Sequence, residues 1–562
     1  MRHLSFFSLL FIYLLATQSG MAQIKIRYPE SRFVFQRNNN NQADVPVVLQ
    51  FDKPVQKIEI QAIARSMSTP QGTSTDWITI PKSSQSNTCY TKITLSGGWY
   101  DLVVRAFDGF TFVGIDTLKR VGVGEVFIVA GQSNATGDNE LRNQNIFGPS
   151  ATDDRVETIN YFNGETTTYG ATRYPYPVIS QIDSTFRLAP FGNSAWCWGV
   201  LGDSLAKKLN VPILFFNAGW SGSGISSWVS SAEDSTATPS EFITYPRGLP
   251  YGNLRSSLRF YTAQFGLRAI LWHQGETDNL YQTDRDTYGK KLKRLIEKSR
   301  EHSNAPNLAW VVARATRFRG LSIQYSRVWQ PVIDAQNDVL GINGQGQANY
   351  LPNTFIGPAT DSLIGPSIRT IDSVHFQGKG IVKLAQAWNM YLDSHFFSAS
   401  TPILSTALPL IGSACASITS LKFTLSNPTL YSMIEWSNDP LAKQVFSKNT
   451  SVNLSQNQFA RVRVKDAQDR ELFSPLLYTP NNFAGLYPLE STQSGYWHDT
   501  SIWSCGRIPT TLDEVTILKD HEIVVGTGLS AQFKKLNLLG NLYLFGDTHL
   551  FSNKVVPKPP KE

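Results

Sequence analysis

From residue 23 to about residue 122, apolar side chains come in short bursts separated by polar stretches. "VPVVLQF", "KIEIQAIA", "TKITL" and "WYDLVVRAF" are β-branched or aromatic runs of strand length. Regular spacing of such runs predicts a β-sandwich. Near Val121 the pattern changes. "EVFIVAG", "VPILFFNAG", "LRAILWHQG" and "LAWVVARA" are almost wholly apolar, as strands buried on both faces are. Between them, "WGVLGDSLAKKLN", "LRSSLRFYTAQFG", "TYGKKLKRLIEKSREHS" and "GIVKLAQAWNMYLDSHF" carry apolar residues at i, i+3 and i+4 and predict helices, the last ending near Phe397. Strand, helix, strand order predicts a mostly parallel sheet covered by helices. After about residue 399 the short bursts return in "SLKFTLS", "YSMIEWS" and "FARVRVKD".

The expected division is therefore a leader over 1–22, a β-sandwich (Ig-like) domain over 23–122 and an α/β domain over 123–398. A second sandwich-like module follows over 399–482, then a β-rich module over 483–562 with a polar Pro/Lys tail. The 562-residue length suits several domains. Residues 6–15, "FFSLLFIYLL", follow a charged start and precede small residues at Gly20 and Ala22. That is the layout of a secretory signal peptide cut before Gln23. No later run is apolar enough to span a bilayer, so a secreted protein (extracellular, periplasmic or cell-surface) is expected. The formal charge of +7 is spread out, and "KKLKR" at 290–294 reads as a solvated helix face; no nucleic-acid partner is expected. Four cysteines, Cys89, Cys197, Cys415 and Cys505, fall one to each expected domain. A disulfide framework and a Cys-based metal site are therefore not expected.

Chemistry concentrates where strands of the α/β region end, which is where ligands sit in parallel sheets. Ser133 follows "VFIVAGQ" and starts a turn or helix, a place that exposes Oγ and its own N–H. The Asn134-Ala135 that follows is not the G-x-S-x-G elbow. A serine nucleophile needs a base, an orienting acid and oxyanion donors. His375 in "TIDSVHFQGKG" lies three residues after Asp372, a spacing that lets the carboxylate fix the imidazole tautomer. His273 is the rival base, but no carboxylate precedes it at that spacing. Gly222 in "NAGWSGSGISSW" is the expected second oxyanion donor. "WHQGETD" offers the Gln274 amide, with Glu276 and Asp278 placed to bind substrate hydroxyls or brace the loop.

In that order, "GQSN", "SGSGISSW", "HQGETD" and "DSVHF" resemble the SGNH-type hydrolases, and specifically the sialate O-acetylesterase domain family of carbohydrate esterases. The resemblance covers about residues 95–395. It implies a flavodoxin-like three-layer α/β/α domain, here flanked by β-sandwich and β-rich C-terminal modules. It implies Ser133 as nucleophile, His375 as base and Asp372 as orienting acid. The N–H groups of Ser133 and Gly222 would form the oxyanion hole, with Gln274, or Thr277 in another alignment, as third donor. Asn134, Glu276 and Asp278 would face substrate. The activity implied is removal of acetyl groups from sugar hydroxyls, with an acetylated carbohydrate as partner and no cofactor or metal. A lipase or thioesterase of the same fold, or a non-catalytic glycan-binding surface protein, are the alternatives. Residues 483–562, with "SGYWHDTSIWSCGRIPTTLDEVTI", look like solenoid modules of secreted bacterial proteins, and the C-terminal modules are candidates for binding glycan or a cell surface. All motifs lie before residue 398, so the remainder is expected to be dispensable for the chemistry.

Overall fold

The computed structural model describes residues 24–52, 55–66, 69–80, 87–137, 148–160, 174–185, 187–233, 245–246, 248–318, 328–480, 485–551 and 554–556. The expected signal peptide over 1–22 and the tail after 556 lie outside the described residues.

The strand Thr111–Gly131 organises the chain. Its first part pairs antiparallel with Gly98–Asp108, inside the N-terminal β-region. Its last part lies in the middle of a parallel sheet, flanked by Ile213–Asn217 and Ala269–His273. The expected boundary at 122/123 therefore falls within one continuous strand rather than in a linker. Arg120, in the left-handed region at φ 64°, lies at a break in the register of that antiparallel pairing, which resumes over Val121–Val123.

The sheet order is Ile179–Gln181, Val156–Ile159, Ile213–Asn217, Thr111–Gly131, Ala269–His273, Ala309–Arg314, Thr354–Ala359, parallel from Val156–Ile159 onward with an antiparallel edge strand. Residues 126–131 are buried on both faces, which is why they read as an unbroken apolar run. Val126, Ile128 and Ala130 join a core containing Trp228, Trp272, Leu292 and Val332. Phe127 and Val129 join another containing Trp198, Leu205, Leu384 and Trp388. The helices Ile225–Ala232, Arg285–Ser303 and Gln330–Val339 contribute to the first core, and Trp198–Leu209 and Lys379–Tyr391 to the second. The last expected helix is interrupted: a second one, Ser394–Ala399, starts where the Asp393 side chain accepts from the Phe396 N–H. Among the described residues no helix is long and apolar enough to cross a membrane.

Beyond residue 399 the antiparallel strands Ile411–Ser417, Ser420–Leu425 and Ser451–Ser455 form one sheet, and Tyr431–Ser437, Phe459–Asp466 and Glu471–Phe473 another. After these come short parallel ladders, Leu489–Glu490 with Glu514–Ile517, then Lys535–Leu538, then Lys554–Val556. Cys415 and Cys505 are disulfide-bonded, with Cα atoms 5.2 Å apart. This corrects the expectation of no disulfide: the antiparallel and parallel β-regions pack against each other and bring together cysteines 90 residues apart.

Candidate active site

Ser133 owes its position to a backbone turn that only glycine permits. Gly131 has φ 129°, and a Cβ there would lie 2.0 Å from the His273 carbonyl oxygen. The chain thus passes tightly over the neighbouring strand end, with the Gln132 N–H donating to the same carbonyl at 2.9 Å. One helical turn, Ser133–Thr136, follows and closes at Gly137.

His375 arrives from the far end of the domain, on a tight loop rather than a helix. Asp372 builds that loop: its Oδ1 accepts from Thr370 Oγ1 at 2.5 Å, Val374 N at 2.8 Å and His375 N at 3.1 Å. Ser373 takes a left-handed φ of 58°. The other oxygen, Oδ2, accepts from His375 Nδ1 at 2.8 Å, and His375 Nε2 lies 2.7 Å from Ser133 Oγ. Burial pushes the Asp372 carboxyl up. The hydrogen bond and charge of His375, the Thr370 hydroxyl and the Val374 N–H outweigh this and hold it well below the usual carboxylate range. An ionised carboxylate only accepts, so Nδ1 carries the proton and Nε2 is left to accept from the serine hydroxyl.

The Gly-rich loop follows the strand Ile213–Asn217. Asn217 sets its start: Nδ2 donates to Ala135 O at 2.8 Å and Oδ1 accepts from Gly219 N at 3.0 Å. Gly222 stands at φ 71°. Among the described residues neither its N–H nor that of Ser133 has an acceptor in the chain. Ser221 Oγ lies 2.9 Å from Thr136 Oγ1, which ties this loop to the serine turn. Trp220 stacks on Phe191 with ring centroids 4.2 Å apart.

The "HQGETD" residues sit differently from expectation. Gln274 Nε2 faces Asp278 Oδ2 at 2.6 Å, Ser223 O at 3.2 Å and Gln132 Oε1 at 3.3 Å. Two amide hydrogens already meet three acceptors, so as placed Gln274 offers no open oxyanion donor. Thr277, the other candidate, donates its N–H to Gln132 Oε1 at 3.2 Å. Asn134, Glu276 and Asp278 are at most 2% exposed, which corrects the expectation that they face substrate. Asp278 instead accepts from Ile225 N, Gln274 and Thr283 Oγ1. Asn134 Nδ2 donates to Glu276 Oε1 at 2.8 Å and to Val374 O at 3.0 Å. Burial raises the Glu276 carboxyl, but His273 and the Asn134 amide beside it more than offset that and hold it at about 2. His273 is fully buried, 3.4 Å from Glu276.

Three residues of the site were not singled out by the motifs. Gln132 gathers Gly275 N, Thr277 N and Gln274 with one oxygen. Asn217 supports the Gly-rich loop. Arg369 donates to Thr360 O at 2.7 Å, Leu363 O at 2.8 Å and Val374 O. The available signal was a polar residue terminating an apolar strand in the first two cases, and none for Arg369. Among the described residues no cluster of three or more His, Cys, Asp or Glu could hold a metal ion.

Residues 123–389 match the family described as carbohydrate esterase, sialic acid-specific acetylesterase. A carbohydrate acetylesterase from Xanthomonas citri is similar over 80% of this chain and 95% of its own, at 16% identity and a TM-score of 0.39. A protein from Arabidopsis thaliana is similar over 48% of this chain and 98% of its own, at 17% identity and a TM-score of 0.33. No curated protein matches the sequence. The segment 123–389, which contains Ser133, Asp372 and His375, belongs to the sialic acid-specific acetylesterase family of carbohydrate esterases, and the chain is an esterase.

Proposed function

We propose that the chain removes acetyl groups from sugar hydroxyls by Ser-His-Asp catalysis through an acetyl-enzyme. The observation that carries the reading is the unbroken relay Ser133 Oγ, His375 Nε2, His375 Nδ1, Asp372 Oδ2, with contacts of 2.7 and 2.8 Å. Ser133 Oγ attacks the acetyl carbonyl while its proton passes to His375 Nε2. The oxyanion that forms lies against the N–H groups of Ser133 and Gly222. Collapse breaks the ester bond, and the departing sugar oxygen takes the proton from His375. Water then repeats the sequence on the acetyl-enzyme, releasing acetate and restoring the serine. We read the parallel sheet and its helices as the flavodoxin-like three-layer arrangement of SGNH hydrolases. Residues 1–22 fit export.

The test is acetate release from a panel of O-acetylated sugars and glycans, with Ser133→Ala as control. Release by the wild type and its loss in the variant is the expected result. Equal release by both, or preference for long-chain acyl esters, would refute the reading.

A further inference from the structure

We propose that Asn134 is a positioning residue, whose side-chain amide clamps the loop carrying the base against the turn carrying the nucleophile. The inference rests on the triad reading above and goes beyond it.

Asn134 immediately follows Ser133, and Val374 immediately precedes His375. One Asn134 N–H donates to the Val374 carbonyl at 3.0 Å, and the other to Glu276 Oε1 at 2.8 Å. A single amide group therefore joins the two halves of the Ser133–His375 contact, one residue away from each. Its orientation is dictated by its neighbours. A carbonyl and an ionised carboxylate both only accept, so the NH2 end must face them. The Asn134 Oδ1 that results is buried and has no partner. Leaving an acceptor unpaired is unfavourable, and alanine or serine would avoid it; what asparagine adds is two donors in one plane.

The anchors are themselves fixed. Glu276 starts the helix Glu276–Leu280, whose entrance is held by the Gln132 side chain. The Val374 carbonyl also receives Arg369, whose guanidinium gathers two further loop carbonyls and lies 4.1 Å from the Phe376 ring centroid. Asn134 is fully buried and cannot touch substrate. Its effect must run through the placement of His375.

Asn134→Asp keeps the shape and removes both donors, and Asn134→Ala removes them without adding charge beside Glu276. A misplacement of about 1 Å at a reacting centre costs about 10²-fold in rate. In the full chain acting on p-nitrophenyl acetate, each variant should lower kcat by about 10- to 100-fold with KM unchanged. Placed in a His375→Ala background, the same substitutions should change the residual rate by less than about twofold, because the group they position is gone. A kcat near wild type in Asn134→Ala would overturn the inference. So would an equal loss in both backgrounds, which would place the effect on the fold or the oxyanion donors. A His375→Ala variant as fast as wild type would refute the triad itself, a distinct failure that takes this inference with it.

Discussion

Replacing Asp372 by Asn puts the orienting acid to its sharpest test. The substitution preserves shape but converts one acceptor oxygen into a donor. Two placements are open to the new amide. With its NH2 toward His375 Nδ1, that nitrogen must accept, so the ring proton moves to Nε2 and faces Ser133 Oγ. The base then cannot take the serine proton, a fault worth about 10⁴ in a comparable triad, or about 5 kcal/mol. With its oxygen toward Nδ1, the tautomer is right, but the NH2 meets the Val374 and His375 N–H groups that Oδ1 now satisfies at 2.8 and 3.1 Å. Two fixed donors would lose their acceptor, at about 1–3 kcal/mol each. The Thr370 hydroxyl can rotate away and adds little. The cheaper placement sets the loss, so kcat/KM should fall by about 10²–10⁴. The measurement is kcat/KM on one acetyl ester from pH 6 to 9, with folding checked by circular dichroism. A loss under about tenfold across that range would mean Asp372 does not fix the tautomer.

Stability should respond to the same carboxylate. Its folded pKa is depressed, so its contribution is present above the unfolded value of about 3.9 and lost as pH falls through the folded value; the stability gap between wild type and Asp372→Asn, read from urea unfolding, should narrow below about pH 4. Arg268→Met should cost about 3–5 kcal/mol, because it strips one cation from Glu125, a fully buried carboxylate that Arg268 holds at 2.7 Å; a loss below about 1 kcal/mol would show that Arg37 alone suffices. Truncation after residue 398 should leave a domain that aggregates, since Phe473 packs on Tyr176 and Phe260 at 5.3 Å each and Arg461 lies 3.4 Å over Tyr176. Phe473→Ala in the full chain should lower stability by about 3–5 kcal/mol while sparing kcat/KM, and a truncated fragment that stays monomeric and as stable as the whole would refute both.

What the sequence made legible was local. Asp372 and His375 are three residues apart, and the loop between them is closed by its own hydrogen bonds, so the spacing carried the information. Gly222 announced a backbone shape that other residues resist. The inward turn of Gln274, Glu276 and Asp278 was not legible, because residues just past a strand can face either the cleft or the scaffold. The choice is made by Gln132, 142 positions before Gln274 in the chain. The Cys415–Cys505 bond was hidden for the same reason, as it depends on how two β-regions dock. Residues 399–562, expected to be dispensable for the chemistry, are nonetheless packed against the α/β region. Ile403 bridges back to Leu267, and the Thr406 N–H donates to Ala263 O, so the chain after the last helix closes over the α/β region instead of leaving it.

The central strand also separates stability from chemistry along its length. Glu125 sits at its entry to the parallel sheet, where Arg37, Gln36 and Arg268 converge on one carboxylate and join the N-terminal β-region, the sheet and, through Arg268 and Ser400, the segment after the last helix. Gly131 and Ser133 sit at its exit. Six steps along the strand, from Glu125 to Gly131, span roughly 20 Å. Across that distance a unit charge acts on His375 with under about 1 kcal/mol at an effective dielectric of 20, less than one pKa unit. Losing the Arg268 cation should therefore lower the melting temperature and move the pH profile of kcat/KM by less than about one unit. A larger displacement would mean that the two ends of the strand are coupled through the sheet itself, not through the field of the charges.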